Sequence, residues 1–147
     1  SMECFGYNSR LDTIQAVVGT HILGSLDWIL RERRKNAKTY TTGLSKINEI
    51  SFQYVAKDVS SSYLYFVIFA QDRDKLKAHC EKNGVEVKIH YPKPLYCQKA
   101  LQDIGYKNGQ FKNSDLQSQT ALSLPVDQHL SEEDIQYVIS VIENFYR

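Results

Sequence analysis

Apolar residues recur at three- and four-residue intervals early in the chain. Leu11, Ile14, Val18, Ile22, Leu26 and Ile29 all fall on one face of a helix. Asn8 or Ser9 can cap its start, and Asp12 suits the electropositive first turn. The helical pattern resumes through Ala37, Tyr40 and Leu44, with Gly43 near its stop. As one helix, residues 10–44 would run about 50 Å, whereas a compact domain of this length has a radius of gyration of about 15 Å. The helix must therefore bend, most readily at Gly24-Ser25, or project and pack on something outside this chain. Gly19 and Gly24 each cost about 1 kcal/mol against alanine, which makes a break there cheap.

The period then changes. Residues 51–56 alternate weakly, and 63–70 form a continuous β-prone run suited to a buried central strand. Asp72 is placed to cap a helix through Asn83, which Gly84 ends. Val85, Val87 and Ile89 alternate with Glu86 and Lys88 as a half-buried strand does, and Pro92 and Pro94 stop it. Short helices are predicted at 98–103 and 114–120, and an extended segment at 122–126. Ser131-Glu132-Glu133-Asp134 opens an amphipathic helix with a capping box, carrying Ile135, Val138, Ile139, Ile142 and Phe145. This order predicts an α+β fold: a long, bent N-terminal helix, then a small, mainly antiparallel sheet covered by helices on one face.

Composition narrows the classes. Apolar residues at 42% and charged residues at 24% describe an ordinary globular chain. A net charge of +1 gives no general argument for nucleic acid or an anionic membrane, and no apolar run approaches a bilayer span. Cys4, Cys80 and Cys97 lack the spacing of a disulfide framework or zinc site and read as reduced cytoplasmic thiols. Ser1-Met2 reads as an expression scar, with the natural protein expected to begin upstream. No signal peptide is expected at Ser1-Met2-Glu3-Cys4, where no basic region precedes an apolar one.

Candidate chemistry is sparse. His21 and His129 have no partner at metal-ligand spacing, and His79 is expected on a helix surface. His90 differs, because it ends a strand where the chain turns through two prolines, a common place for pocket residues. Five basic residues, Arg31, Arg33, Arg34, Lys35 and Lys38, wrap around the first helix and are expected to be a solvated face. Phosphate-cradling glycine loops, paired catalytic carboxylates and a serine nucleophile elbow are missing.

Three segments carry a resemblance. The first is Gly6-Tyr7-Asn8-Ser9-Arg10-Leu11-Asp12-Thr13-Ile14-Gln15-Ala16. The second runs from Gly84 through His90-Tyr91-Pro92 to Pro94-Leu95 and Gln98. The third is Leu122-Ser123-Leu124-Pro125 followed by Leu130-Ser131-Glu132-Glu133-Asp134-Ile135. In that order they resemble the C-terminal part of the pyridoxal-phosphate-dependent sugar aminotransferases of the DegT/DnrJ/EryC1/StrS type. The resemblance implies a fold-type I homodimer with its active site at the subunit boundary. It implies residues 3–48 as an interdomain helical segment and 49–147 as a small C-terminal α+β domain. Asn8 would reach across the dimer to the cofactor phosphate, and Arg10, His90 and Tyr91 would bind substrate. The substrates implied are a nucleotide-linked keto sugar and, as amino donor, glutamate. The Schiff-base lysine would lie upstream of Gly6, so this chain alone is expected to be inert and to hold no cofactor, and no metal is expected.

The chain also departs from the family pattern. Leu64 stands where a histidine is common within the central strand, and Tyr96 replaces a histidine after Pro-Leu. Lys112-Asn113-Ser114-Asp115 stands where P-x-A-E is common, keeping only the acid. The alternative reading is a freestanding, non-catalytic binding or dimerisation domain, which a stable monomer with its first helix fully covered would favour.

Overall fold

The computed structural model describes residues 11–147. Helix α1 (Thr13–Leu23) and helix α2 (Leu26–Leu44) are separated at Gly24-Ser25, where the bend is predicted. There the Gly24 N–H donates to His21 O at 3.2 Å and the Ser25 N–H to Ile22 O at 2.9 Å, tightening the last turn. Asp12 is the N-cap rather than a first-turn residue, and its side chain makes no cap bond. The proposed caps Asn8 and Ser9 lie outside the described residues. No side chain of α1 is buried, whereas Asn36, Ala37, Tyr40 and Leu44 of α2 are.

Three strands follow, β1 (Ile50–Phe52), β2 (Phe66–Ala70) and β3 (Ala121–Leu124), paired antiparallel in the order β1-β2-β3. The sheet is small and antiparallel, as the pattern predicts. Its strands are shorter than predicted. Tyr63 has a φ of 46°, which extended backbone cannot hold, so β2 begins at Phe66. The pairing puts Ile50, Phe66, Ile68, Ala70, Leu122 and Leu124 on one face, where all are buried. Helices α2, α3 (Arg73–Lys82) and α6 (Glu132–Tyr146) pack there and complete one core. Val67 and Phe69 point to the opposite face and are only half-buried. The run is therefore central in the sheet but covered on one side, so its core positions alternate.

Local signals hold in several places. At the end of α3 the Val85 N–H reaches Cys80 O at 2.9 Å and the Gly84 N–H reaches Glu81 O at 3.1 Å. With Gly84 at a φ of 73°, this is a Schellman stop. Ser131 and Asp134 form the capping box of α6 reciprocally, through bonds of 3.1 and 2.9 Å. At the start of α3, Asp72 takes a left-handed conformation and makes an ion pair with Lys75 at 2.9 Å, so its side chain does not cap.

Other expectations change. The segment with Val85, Val87 and Ile89 touches the sheet by one bridge, Lys88 to Ser123, instead of pairing as a strand. His79 is half-buried between α3 and α6, its Nε2 3.1 Å from Val141 O and its ring 5.5 Å from that of Phe145. Of the five clustered basic residues, Arg33 is drawn partly out of solvent, while Arg31, Arg34, Lys35 and Lys38 stay exposed as expected. Arg33 donates to Gln128 Oε1 at 2.9 Å and to the carbonyls of Tyr63 and Leu64 at 3.3 Å each, while Arg34 donates to Ser61 O at 2.9 Å. Both pin the long loop between β1 and β2 to α2. Leu64 is an exposed residue of that loop, outside the central strand.

Candidate functional site

The open face of the sheet forms the floor of a groove of about 740 Å³, within the usual range of ligand sites. Val67, Phe69, Ala121 and Ser123 make the floor. One wall is the 88–98 segment, carrying Lys88, His90, Tyr91, Lys93 and Leu95. Facing it is α5 (Lys112–Thr120), which contributes Ser114, Gln117 and Ser118. Phe52, Tyr54 and Tyr65 close a third side.

Lys88 enters the groove because its backbone bridges Ser123, with N–H···O distances of 3.0 and 2.8 Å in the two directions. That pairing sets the facing of the wall. The chain then turns through Pro92 and Pro94 into a 3₁₀ turn, Leu95–Cys97. His90 is held by its ring against Tyr65, with centroids 4.2 Å apart. Tyr91, at 84% exposure, reaches well into solvent and is 6.4 Å from His90 by ring centroid.

The groove is cationic by composition. Lys88 and Lys93 line it, and among the described residues no aspartate or glutamate does. Lys88 pairs with Glu86 at 3.0 Å, but both side chains are well exposed, and such pairs contribute little. Tyr96, singled out in the sequence as a departure, and Asp115, the acid kept in the 112–115 stretch, meet beneath the wall. Tyr96 is buried and donates its hydroxyl hydrogen to Asp115 Oδ1, while that hydroxyl oxygen accepts from the Gly109 N–H at 3.2 Å. Burial, then the bond to Asp115, pushes the Tyr96 hydroxyl up to about 12. It stays protonated and acts as a fixed donor.

Of the four site residues expected from sequence, His90 and Tyr91 lie together at the groove. Asn8 and Arg10 lie outside the described residues. Sequence reasoning missed Lys88, Lys93 and Tyr65. Alternation of Lys88 with Val87 and Ile89 showed that it faces away from the core, but nothing local showed a groove there. Among the described residues no group of three or more His, Cys, Asp or Glu is placed to hold a metal ion. No helix among them is long and apolar enough to cross a membrane.

An antiparallel sheet with helices on one face and a cationic groove closed by a His-Tyr-Pro turn on the other fits the small domain of a fold-type I aminotransferase. The chain belongs to the DegT/DnrJ/EryC1/StrS aminotransferase family, whose model matches residues 1–143. It is 38% identical over 146 residues to a pleiotropic regulatory protein of Geobacillus stearothermophilus, covering 97% of this chain and 39% of that protein. It is 29% identical over 145 residues to the dTDP-3-amino-3,4,6-trideoxy-alpha-D-glucose transaminase of Streptomyces venezuelae, covering 99% and 38%. Its fold matches the S. venezuelae DesV structure in complex with a ketimine intermediate, with a TM-score of 0.92 at 28% identity, over 100% of this chain and 40% of that one. The chain thus spans about two fifths of the relatives it matches.

Proposed function

We infer that this chain is the small domain and interdomain helix of a pyridoxal-phosphate-dependent aminotransferase that aminates a nucleotide-linked keto sugar, with glutamate as donor. The observation that carries the reading is the placement of His90 and Tyr91 at the mouth of a cationic groove in a chain of this family. Lys88 and Lys93 supply positive charge for the anionic part of such a substrate. Tyr54, Tyr65 and Tyr91 supply aromatic surface, and His90 a hydrogen-bonding edge.

The groove does not fit the cofactor itself. Among the described residues it has no carboxylate to pair with a pyridinium nitrogen, and neither of its lysines lies in the sequence context of a Schiff-base lysine. The groove is therefore assigned to substrate. The cofactor, which supplies the electron sink for amino transfer, is assigned to the larger domain of a homodimeric parent. Asn8 is assigned to the cofactor phosphate across the dimer, and Arg10 to phosphate or substrate. By itself the 147-residue chain is expected to be inert. Residues 3–48 are assigned as the interdomain segment, with the second half of α2 seated in the small-domain core. The free, buried thiols of Cys80 and Cys97 are in keeping with a cytoplasmic protein.

Exposure of α1 supports this reading over a freestanding domain. Ile14 is 80% exposed, Val17 64% and Leu23 66%, and an apolar helix face of that extent needs a cover. The test is amino transfer by the full-length protein to UDP- and dTDP-linked keto sugars with glutamate, followed by product mass. Transfer supports the reading; a PLP-loaded protein that aminates none of them overturns it. In the same protein, Asn8→Ala should weaken PLP binding, and unchanged affinity removes that residue's role.

A further inference from the structure

The His90-Tyr91 turn has few ties of its own. Its backbone is fixed on one side by the Lys88–Ser123 bridge and on the other by the 3₁₀ turn that begins at Leu95. Between them, Ile89, His90, Tyr91 and Lys93 donate no backbone hydrogen bond to another backbone group among the described residues. The 88–98 wall that carries the turn makes one side-chain hydrogen bond to the opposite wall among the described residues, from Tyr96 in the 3₁₀ turn to Asp115. Asp115 lies in the first turn of α5, one residue after the groove residue Ser114. Tyr96 adjoins the groove residue Leu95. The bond thus joins the two walls from beneath.

Its surroundings favour a fixed distance. Tyr96 is 5% exposed and meets Phe111 edge-on at 5.1 Å, and its hydroxyl also takes the Gly109 N–H. A phenol has one hydrogen to donate, and here it goes to a carboxylate, the stronger class of acceptor. The Gly109 contact ties the 104–111 loop to the same atom. The 3₁₀ turn, the 104–111 loop and the first turn of α5 therefore meet at one hydroxyl.

We propose that Tyr96 and Asp115 are a positioning pair that sets the spacing of the two groove walls and, through it, the stance of the His90-Tyr91 turn. Neither residue is catalytic, since neither lines the groove. The consequence for substrate rests on assigning the groove to the substrate; the effect on the turn does not.

The experiment is ¹⁵N relaxation on the 147-residue chain and on Tyr96→Phe, Asp115→Ala and the double variant. The amides of Ile89, His90, Tyr91 and Lys93 report the turn, and those of Ile68, Leu122 and Ile139 report the core. Order parameters at the turn are expected near about 0.85 in the parent chain and below about 0.6 in each single variant, with the core unchanged. The double variant should lose no more than either single one, because both remove the same bond. Unchanged order at the turn, or loss spread evenly over turn and core, overturns the proposal. Should Tyr96→Phe fail to fold, Asp115→Ala decides alone. Titrating UDP and dTDP into the parent chain separates the two readings. Loosening in the variants with no groove shifts on either nucleotide keeps the positioning pair and counts against the substrate assignment. Groove shifts with an unaltered turn in the variants remove the positioning pair alone.

Discussion

His90 lays its imidazole against the ring of Tyr65, the centroids 4.2 Å apart and the planes tilted by 49°. The contact joins the turn after Lys88 to the residue just before β2, so each end of the groove supports the other. Aromatic pairs of this kind contribute about 0.5–1.5 kcal/mol beyond buried area. Tyr65→Leu should remove the ring-current shift from the His90 ring protons, read by NMR on the chain. In the full-length protein, His90→Ala should lower kcat/KM for the sugar substrate by roughly tenfold or more, the value of one hydrogen bond to a charged group. Kinetics unmoved by that change would place substrate elsewhere.

The apolar face of α1 makes a separate prediction. Ile14→Gln with Val18→Gln should reduce self-association of the 147-residue chain in sedimentation velocity and leave its thermal midpoint in place, since neither side chain is buried. In the full-length protein the same pair should lower the midpoint, because there the face is expected to be covered.

Tyr40 is fully buried and stacks on Phe66 at 5.2 Å, yet its hydroxyl has no hydrogen-bond partner among the described residues. Burial, then the charge of Asp134, pushes its ionisation far up, so the group remains a neutral phenol. A buried hydroxyl without a partner costs about 1–3 kcal/mol. Tyr40→Phe should therefore raise unfolding stability by about 1 kcal/mol, read as a higher urea midpoint at constant slope. A lower midpoint would mean that the hydroxyl is satisfied.

Gly43 of α2 packs directly against Ile139 of α6. A Cβ there would sit 2.7 Å from Ile139 Cδ1 and 3.1 Å from its Cγ2. Alanine gains about 1 kcal/mol in helix propensity, while overpacking costs about 1–3 kcal/mol. Gly43→Ala should destabilise on balance, and adding Ile139→Val should recover most of the loss. Thermal melts of the three chains decide it.

Acid should weaken the start of α6. Asp134 is held below its ordinary value of 3.8 by the Ser131 N–H, then by the Ser131 hydroxyl. A depressed folded value means that the ionised form stabilises the fold. Its contribution is complete above about pH 3.8 and is lost as pH falls through the lower folded value. Asp134→Asn should flatten that part of the acid unfolding curve, monitored by circular dichroism.

The features legible in the sequence are those whose partners lie within a few residues. The bend at Gly24-Ser25 follows from glycine's low helix propensity, and the stop at Gly84 from its access to a positive φ. Ser131 and Asp134 find each other across three positions, so the capping box is written in the order of residues alone. His90 stood out because two prolines forbid the strand to continue. The α+β class and the family were legible for a related reason: periodicity and motif order survive without knowledge of contacts.

Tertiary structure decided everything that depends on partners far apart in sequence. Arg33 looks like solvated charge until the loop before β2 brings carbonyls to it, and His79 looks exposed until α6 covers it. Val67 and Phe69 read as core in a continuous apolar run, yet only the layering of helices on the opposite face leaves them as the floor of a groove. Tyr96 and Asp115, 19 residues apart, read from sequence as a departure and a retained acid with no link between them, and become one bond in space. Local pattern sets which conformations each segment prefers, through backbone sterics and short-range hydrogen bonding. Which faces are buried, and which side chains meet, is chosen by the free energy of packing those segments together, and that is a property of no single segment.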